Sequence, residues 1–123
     1  MIDTFLTKPT QCHLWQKEGL TDEDLNLENN FELLRTFEDE SHLTKRLLKC
    51  KECGQLYFYE FYEVVDWVGG HDPQYRTFIP IETEDAAGKM AEMWPHELFQ
   101  FWPRLQDDWV SEKKKSIVYW MGK

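Results

Sequence analysis

The sequence has no uninterrupted apolar stretch of the length a bilayer requires, and Met1 to Pro9 carries no basic leader followed by an apolar run. Neither a membrane span nor a secretory signal is therefore expected. Cysteine is scarce: the three thiols Cys12, Cys50 and Cys53 are an odd number, a poor basis for a disulfide framework and a better one for metal ligation or free thiols. Together these absences predict a cytoplasmic protein. Positive charge is short as well, with 14 Lys and Arg against 23 Asp and Glu, a net charge of -9 that repels phosphate backbones and anionic headgroups. Nucleic acid and membrane surfaces are thus disfavoured as partners. No serine sits in a nucleophile elbow, the four histidines are dispersed, and Gly69-Gly70 runs into His71-Asp72-Pro73 instead of a lysine-bearing helix. The sequence names no catalytic residue, and a nonenzymatic protein is expected.

What is present is ample core material. Hydrophobic residues make up 41% and aromatics 15% of 123 residues, enough for one cooperatively folded domain spanning 1–123. The clearest strand is Leu56 to Val65, almost wholly aromatic or β-branched on both alternating faces, as expected of a central strand. Gly69-Gly70 and Pro73 then bend the chain toward a second strand near 75–81, an antiparallel hairpin partner whose end Pro80 demotes to an edge. Ser116 to Met121 reads as a terminal strand.

Helices are expected in the acidic N-terminal half and over 84–101. Thr21 precedes the acidic run Asp22 to Asp24, and Thr83 precedes Glu84 and Asp85, both arrangements that favour a helix N-terminus. Phe31, Leu33, Leu34 and Phe37 at mixed spacing are read as helix, whereas Leu43 to Cys50 fits helix or strand equally. Pro95 and Pro103 confine His96 to Phe101 to a brief helix between two Trp-Pro pairs. The predicted fold class is α+β: a small antiparallel sheet covered by helices.

The sharpest motif is Cys50-Lys51-Glu52-Cys53-Gly54. Two thiolates separated by two residues can chelate one tetrahedral metal ion, and the following glycine lets amide groups turn toward the sulfurs. The five residues resemble one knuckle of a zinc ribbon, although the second Cys-x-x-Cys pair of that family is absent here. Cys12 is the candidate third ligand. For the fourth, His71 on its loop ranks ahead of His13, whose side chain diverges from Cys12 in extended backbone, with His42 a further choice. The expected cofactor is accordingly a structural zinc ion held by Cys12, Cys50, Cys53 and His71. The competing reading makes the three thiols small buried hydrophobes.

Six tryptophans are many for one domain, and aromatic side chains dominate partner-binding hot spots. Trp67 beside the glycine turn with Asp72, and Trp109 next to Asp107 and Asp108, are the expected contacts for a basic partner. In gross character such a small acidic chain is similar to bacterial immunity proteins, which implies one-to-one docking onto a basic nuclease toxin domain. The alternative is a zinc-knuckle accessory factor that offers its aromatic strand to nucleic acid or to a processing enzyme, with Lys45, Arg46, Lys49 and Lys51 as a local positive patch.

Overall fold

A computed structural model describes residues 8–65, 68–70, 72–110 and 115–123. Its frame is a six-stranded antiparallel sheet in which neighbours in sequence are neighbours in space: β1 (Phe31–Glu40), β2 (Leu43–Cys50), β3 (Leu56–Glu63), β4 (Gln74–Ile81), β5 (Arg104–Val110) and β6 (Lys115–Met121). Three short helices accompany it: α1 (His13–Gln16), α2 (Leu27–Asn30) and α3 (Glu84–Ala91), with 3-10 turns at Asp22–Leu25 and Pro95–Gln100. The chain is a small α+β fold. No helix among the described residues is long and apolar enough to cross a membrane.

Each face of the central strands has its own core. On β3, Tyr57 and Tyr59 point to one face, where they join Leu48, Phe78 and Leu105 from neighbouring strands and Cys12, Leu14 and Leu25 from the N-terminal segment. Phe58 points to the other, with Leu47, Ile79, Ala87 and Met90 of α3, and Leu98 and Phe101. Cross-strand register carries both sets: Phe58 stands opposite Leu47 and Ile79, and Tyr59 opposite Phe78. The N-terminal segment is tied down as well as packed. The Trp120 indole N–H donates to the Leu14 carbonyl at 2.8 Å, and Arg76 donates to the Leu25 carbonyl at 2.9 Å.

Local signals hold where they were strongest. The Thr83 hydroxyl accepts from the Ala86 amide at 3.2 Å and starts α3, and Pro95 stands at the beginning of its 3-10 turn. The Thr21 signal yields a 3-10 turn, with the Thr21 amide donating to Asp24 at 2.9 Å.

One expectation is corrected, one holds for the end of a strand, and one strand is new. Residues from Phe31 form β1 instead of a helix, because pairing with β2 satisfies their backbone and Phe31 itself enters the core. Cation and acid pairs at this edge, such as Glu38 opposite Lys45, favour the ladder over local helix. The edge expected at the end of the second strand is found at Pro80, although β4 as a whole lies between β3 and β5. The β4–β5 ladder ends at Phe78 opposite Leu105, so at Pro80 no amide hydrogen is required by that neighbour. Finally β5 was not foreseen. Its run Arg104-Leu105-Gln106-Asp107-Asp108 reads as surface, yet 104–107 are buried.

Phe78 stacks on Phe31 at 5.4 Å between ring centroids and meets Tyr59 at a tilt at 5.0 Å. Phe78→Ala should therefore cost about 3–5 kcal/mol, as for other fully buried phenylalanines. Urea unfolding monitored by circular dichroism measures it, and a loss below about 1 kcal/mol would contradict this packing.

Candidate metal-binding cluster and aromatic cavity

The Cys50-x-x-Cys53 motif forms the turn between β2 and β3. The Cys50 amide donates to the Gln55 carbonyl at 2.8 Å, and the Gly54 amide donates back to the Cys50 carbonyl at 2.9 Å. Gly54 has a φ of +81°, a conformation a side chain would strain. Its amide thus closes the hairpin onto the Cys50 carbonyl.

Cys12 arrives from the far end of the sequence. It is the residue preceding α1, extended at φ -85° and ψ 135°, and the chain turns into the helix at His13. That turn removes the divergence expected of neighbouring side chains. Ligand atoms of Cys12, His13 and Cys50 all lie within 4.8 Å of one another, with Cys12 Sγ 4.0 Å from Cys50 Sγ and His13 Nδ1 3.8 Å from Cys50 Sγ. They are close enough to bind a metal ion. Both sulfurs are buried, the Tyr57 hydroxyl donates to Cys12 Sγ at 3.2 Å, and Glu52 lies 3.1 Å from His13 Nδ1. Burial pushes the Cys12 thiol up to about 12 against the lowering effect of the Tyr57 hydrogen bond, and Cys53 also acts on it. Cys53 itself is exposed at the turn.

The residues expected to meet a partner are dispersed. Trp67 lies outside the described residues, as does His71, the expected fourth metal ligand. Asp72 is half-buried just before β4. Asp107 is buried, with Oδ2 accepting from Arg76 Nε at 3.0 Å and from Nη2 at 2.5 Å, which commits its charge to the interior. Asp108 points to the opposite face, accepting from the Tyr119 hydroxyl at 2.6 Å and from Gln106 Nε2 at 3.1 Å. Trp109 is half-buried opposite Gln74 and Ser116.

Among the described residues the exposed tryptophans are others. Trp94 is 70% exposed and Trp102 46%. Both precede prolines, so the sequence had marked their positions as chain bends without indicating where their rings would go. Trp94 borders a cavity of about 520 Å³ between β3–β4 and the 3-10 turn, lined by Glu60, Tyr62, Tyr75, Thr77, Pro95, His96 and Phe99. Glu60 and Thr77 form one cross-strand pair and Tyr62 and Tyr75 the next, so the floor is set by strand register alone. Glu60 is only 3% exposed, and its Oε2 has no hydrogen-bond partner among the described residues.

No family model, curated protein or solved structure matches the chain. The site must be interpreted from its own chemistry.

Burial raises the Glu60 carboxyl from 4.5 to about 7, with Lys45 acting in the opposite sense. A carboxyl whose pKa is higher folded than unfolded stabilises the fold fully below the unfolded value and loses that contribution as pH rises through the folded one. Between about pH 4.5 and pH 7 the Glu60 contribution should decline with rising pH. Glu60→Gln should remove that component of the slope and be the more stable form above it. Urea midpoints measured across this range check the difference, and parallel profiles for the two proteins would contradict it.

Proposed function

We propose that this chain is a noncatalytic binding module that docks an acidic surface onto a basic protein, braced by a structural zinc ion. The observation that carries the docking reading is where the protein's own cations go. Lys17 and Arg76 pair with Asp24 and Asp107, but Lys45 donates to the carbonyls of Ala91 and Met93, Lys51 to that of Glu28, Arg104 to those of Phe99 and Phe101, and Lys123 to that of Trp15. Main-chain oxygens take up these donors, while the carboxylates of Glu32, Asp39, Glu40, Glu82, Glu84, Asp85 and Glu92 stand exposed. A surface of that kind steers a cationic partner over distance and weakens with salt. A basic toxin domain is the partner type that the likeness to immunity proteins supplies, and the unpaired thiols fit the reducing cytoplasm.

Zinc is supported by the spacing of the donors. Bonds of about 2.3 Å to sulfur at tetrahedral angles set neighbouring sulfurs about 3.8 Å apart, close to the separations of Cys12, Cys50 and His13. Cys53 is our choice of fourth ligand, since it shares the turn with Cys50 and already acts on the Cys12 thiol. Such a three-cysteine, one-histidine set is closed to substrate and suits a staple that ties the N-terminal segment to the β2–β3 turn.

Two outcomes follow. Protein purified without chelator should carry one equivalent of zinc by elemental analysis, and Cys53→Ser, a change at an exposed position, should weaken zinc binding by about tenfold or more. Chelation should change the fluorescence of Trp15 and Trp120 yet leave far-ultraviolet circular dichroism largely intact, because the two-sided core does not depend on the metal. Zinc present only at trace level would end this reading. For the docking surface, a purified partner should bind about tenfold or more weakly at 500 mM than at 50 mM salt. The combined Glu84→Lys, Asp85→Lys and Glu92→Lys variant should reproduce that loss at low salt. Affinity indifferent to both would exclude an acidic docking face.

A further inference from the structure

The cavity under Trp94 carries more than a cleft of suitable volume. Across the sheet, Lys45, Glu60, Thr77 and Gln106 stand opposite one another on β2, β3, β4 and β5, a row of polar side chains on one face. All four are buried. Lys45 satisfies itself on the Ala91 and Met93 carbonyls at 3.0 and 2.7 Å. What remains without a partner among the described residues is two acceptors, Glu60 Oε2 and Gln106 Oε1, on either side of Thr77. Of these, Glu60 lines the cavity. A buried acceptor left without a donor is costly, most of all a carboxylate, and such a group in a native fold calls for a ligand that supplies hydrogen.

The walls restrict the choice. Tyr62, Tyr75, Trp94 and Phe99 line the same cavity, and rings of this kind attract cations to their faces. An anion would meet the carboxylate, and an apolar group would leave it unpaired. A quaternary ammonium suits aromatic walls but has no N–H to give. A primary ammonium gives N–H but has no plane to lie against a ring. A guanidinium has both, five donors in a flat fork and a delocalised plane that stacks on aromatic rings. The fold already makes such a contact with one of these walls, since the Arg104 guanidinium sits 5.0 Å from the Phe99 ring centre. We propose that the Glu60 cavity binds a guanidinium group, with Glu60 as its anionic floor and Trp94 as its outer wall. Two sources share that chemistry: a free small guanidine, and an arginine side chain of a polypeptide.

The inference goes beyond the docking surface and does not depend on it. Calorimetry with acetyl-Gly-Arg-Gly-amide, acetyl-Gly-Lys-Gly-amide, ethylguanidinium and tetramethylammonium, together with the Trp94 indole resonance, tests it. The arginine peptide should bind saturably and shift that resonance, with the lysine peptide and tetramethylammonium several-fold weaker. Glu60→Gln, which keeps the shape of the side chain, should weaken the arginine peptide by about tenfold or more. Trp94→Ala, at an exposed position, should weaken it several-fold. A peptide tighter than ethylguanidinium indicates a polypeptide arginine as the occupant, and the reverse order indicates a small guanidine. Equal binding of the lysine peptide, no effect of Glu60→Gln, or no saturable response at millimolar concentration would overturn the assignment. Salt-dependent docking that survives Glu60→Gln, with no binding of the arginine peptide, would remove this site and leave the docking surface standing.

Discussion

Burial of β3 and β4 on both faces is the constraint from which the other features derive. A strand covered on one side alternates apolar and polar residues, but one covered on both must place a side chain suited to the interior at every position. Leu56 to Phe61 meets that demand with aromatics and leucine everywhere except Glu60. The exception is informative because a carboxylate directly after three buried aromatic residues contributes nothing to packing. Register then lines it up with Lys45, Thr77 and Gln106, so the polar row is a property of four strands together and of no single one.

That also explains how far the sequence could be read. The aromatic density of β3 and the turn chemistry after it gave the hairpin with β4, and Thr83 and Pro95 gave the two segments between β4 and β5. These are local signals with local causes. β5 was hidden because its inward residues are Arg104, Gln106 and Asp107, which look like surface until their partners are known. Asp107 is buried only because Arg76, opposite it on β4, is there to bind it. β1 was misread for a related reason: most of its residues are exposed, and only the pairing with β2 distinguishes it from a polar helix.

The thiol cluster was half legible. The Cys-x-x-Cys spacing and a third thiol can be counted in the chain, whereas the choice between His13 and His71 turns on a backbone bend. Extended geometry at Cys12 followed at once by helix brings adjacent side chains to one point, the turn that a shared metal site would need and that spacing alone does not reveal. The position of the cluster is also telling. It joins residues 12 and 13 to residue 50 beneath Tyr57, at the margin of a core that already contains Leu14 and Leu25. A metal there has less to do with creating the fold than with fixing one segment against it.

Charge ties the two ends of the molecule's chemistry together. A chain with nine more acids than bases would be expected to set its few cations against carboxylates. Instead the lysines and arginines of the interior are directed mainly to main-chain carbonyls, and the Arg76–Asp107 pair is the exception. Carbonyl ligation stabilises a buried cation without neutralising any acid, so each cation held in this way leaves the surface anionic and the interior row short of donors. Glu60 is where both shortages meet. Lys45 is its neighbour in the row, yet the donors of Lys45 go to Ala91 and Met93 at the end of α3. The end of α3 is thereby tied to β2, and Glu60 Oε2 is left without a hydrogen-bond donor among the described residues. The same allocation of cations that leaves the surface anionic thus also leaves, at one point on the sheet, a buried acceptor without a donor among the described residues.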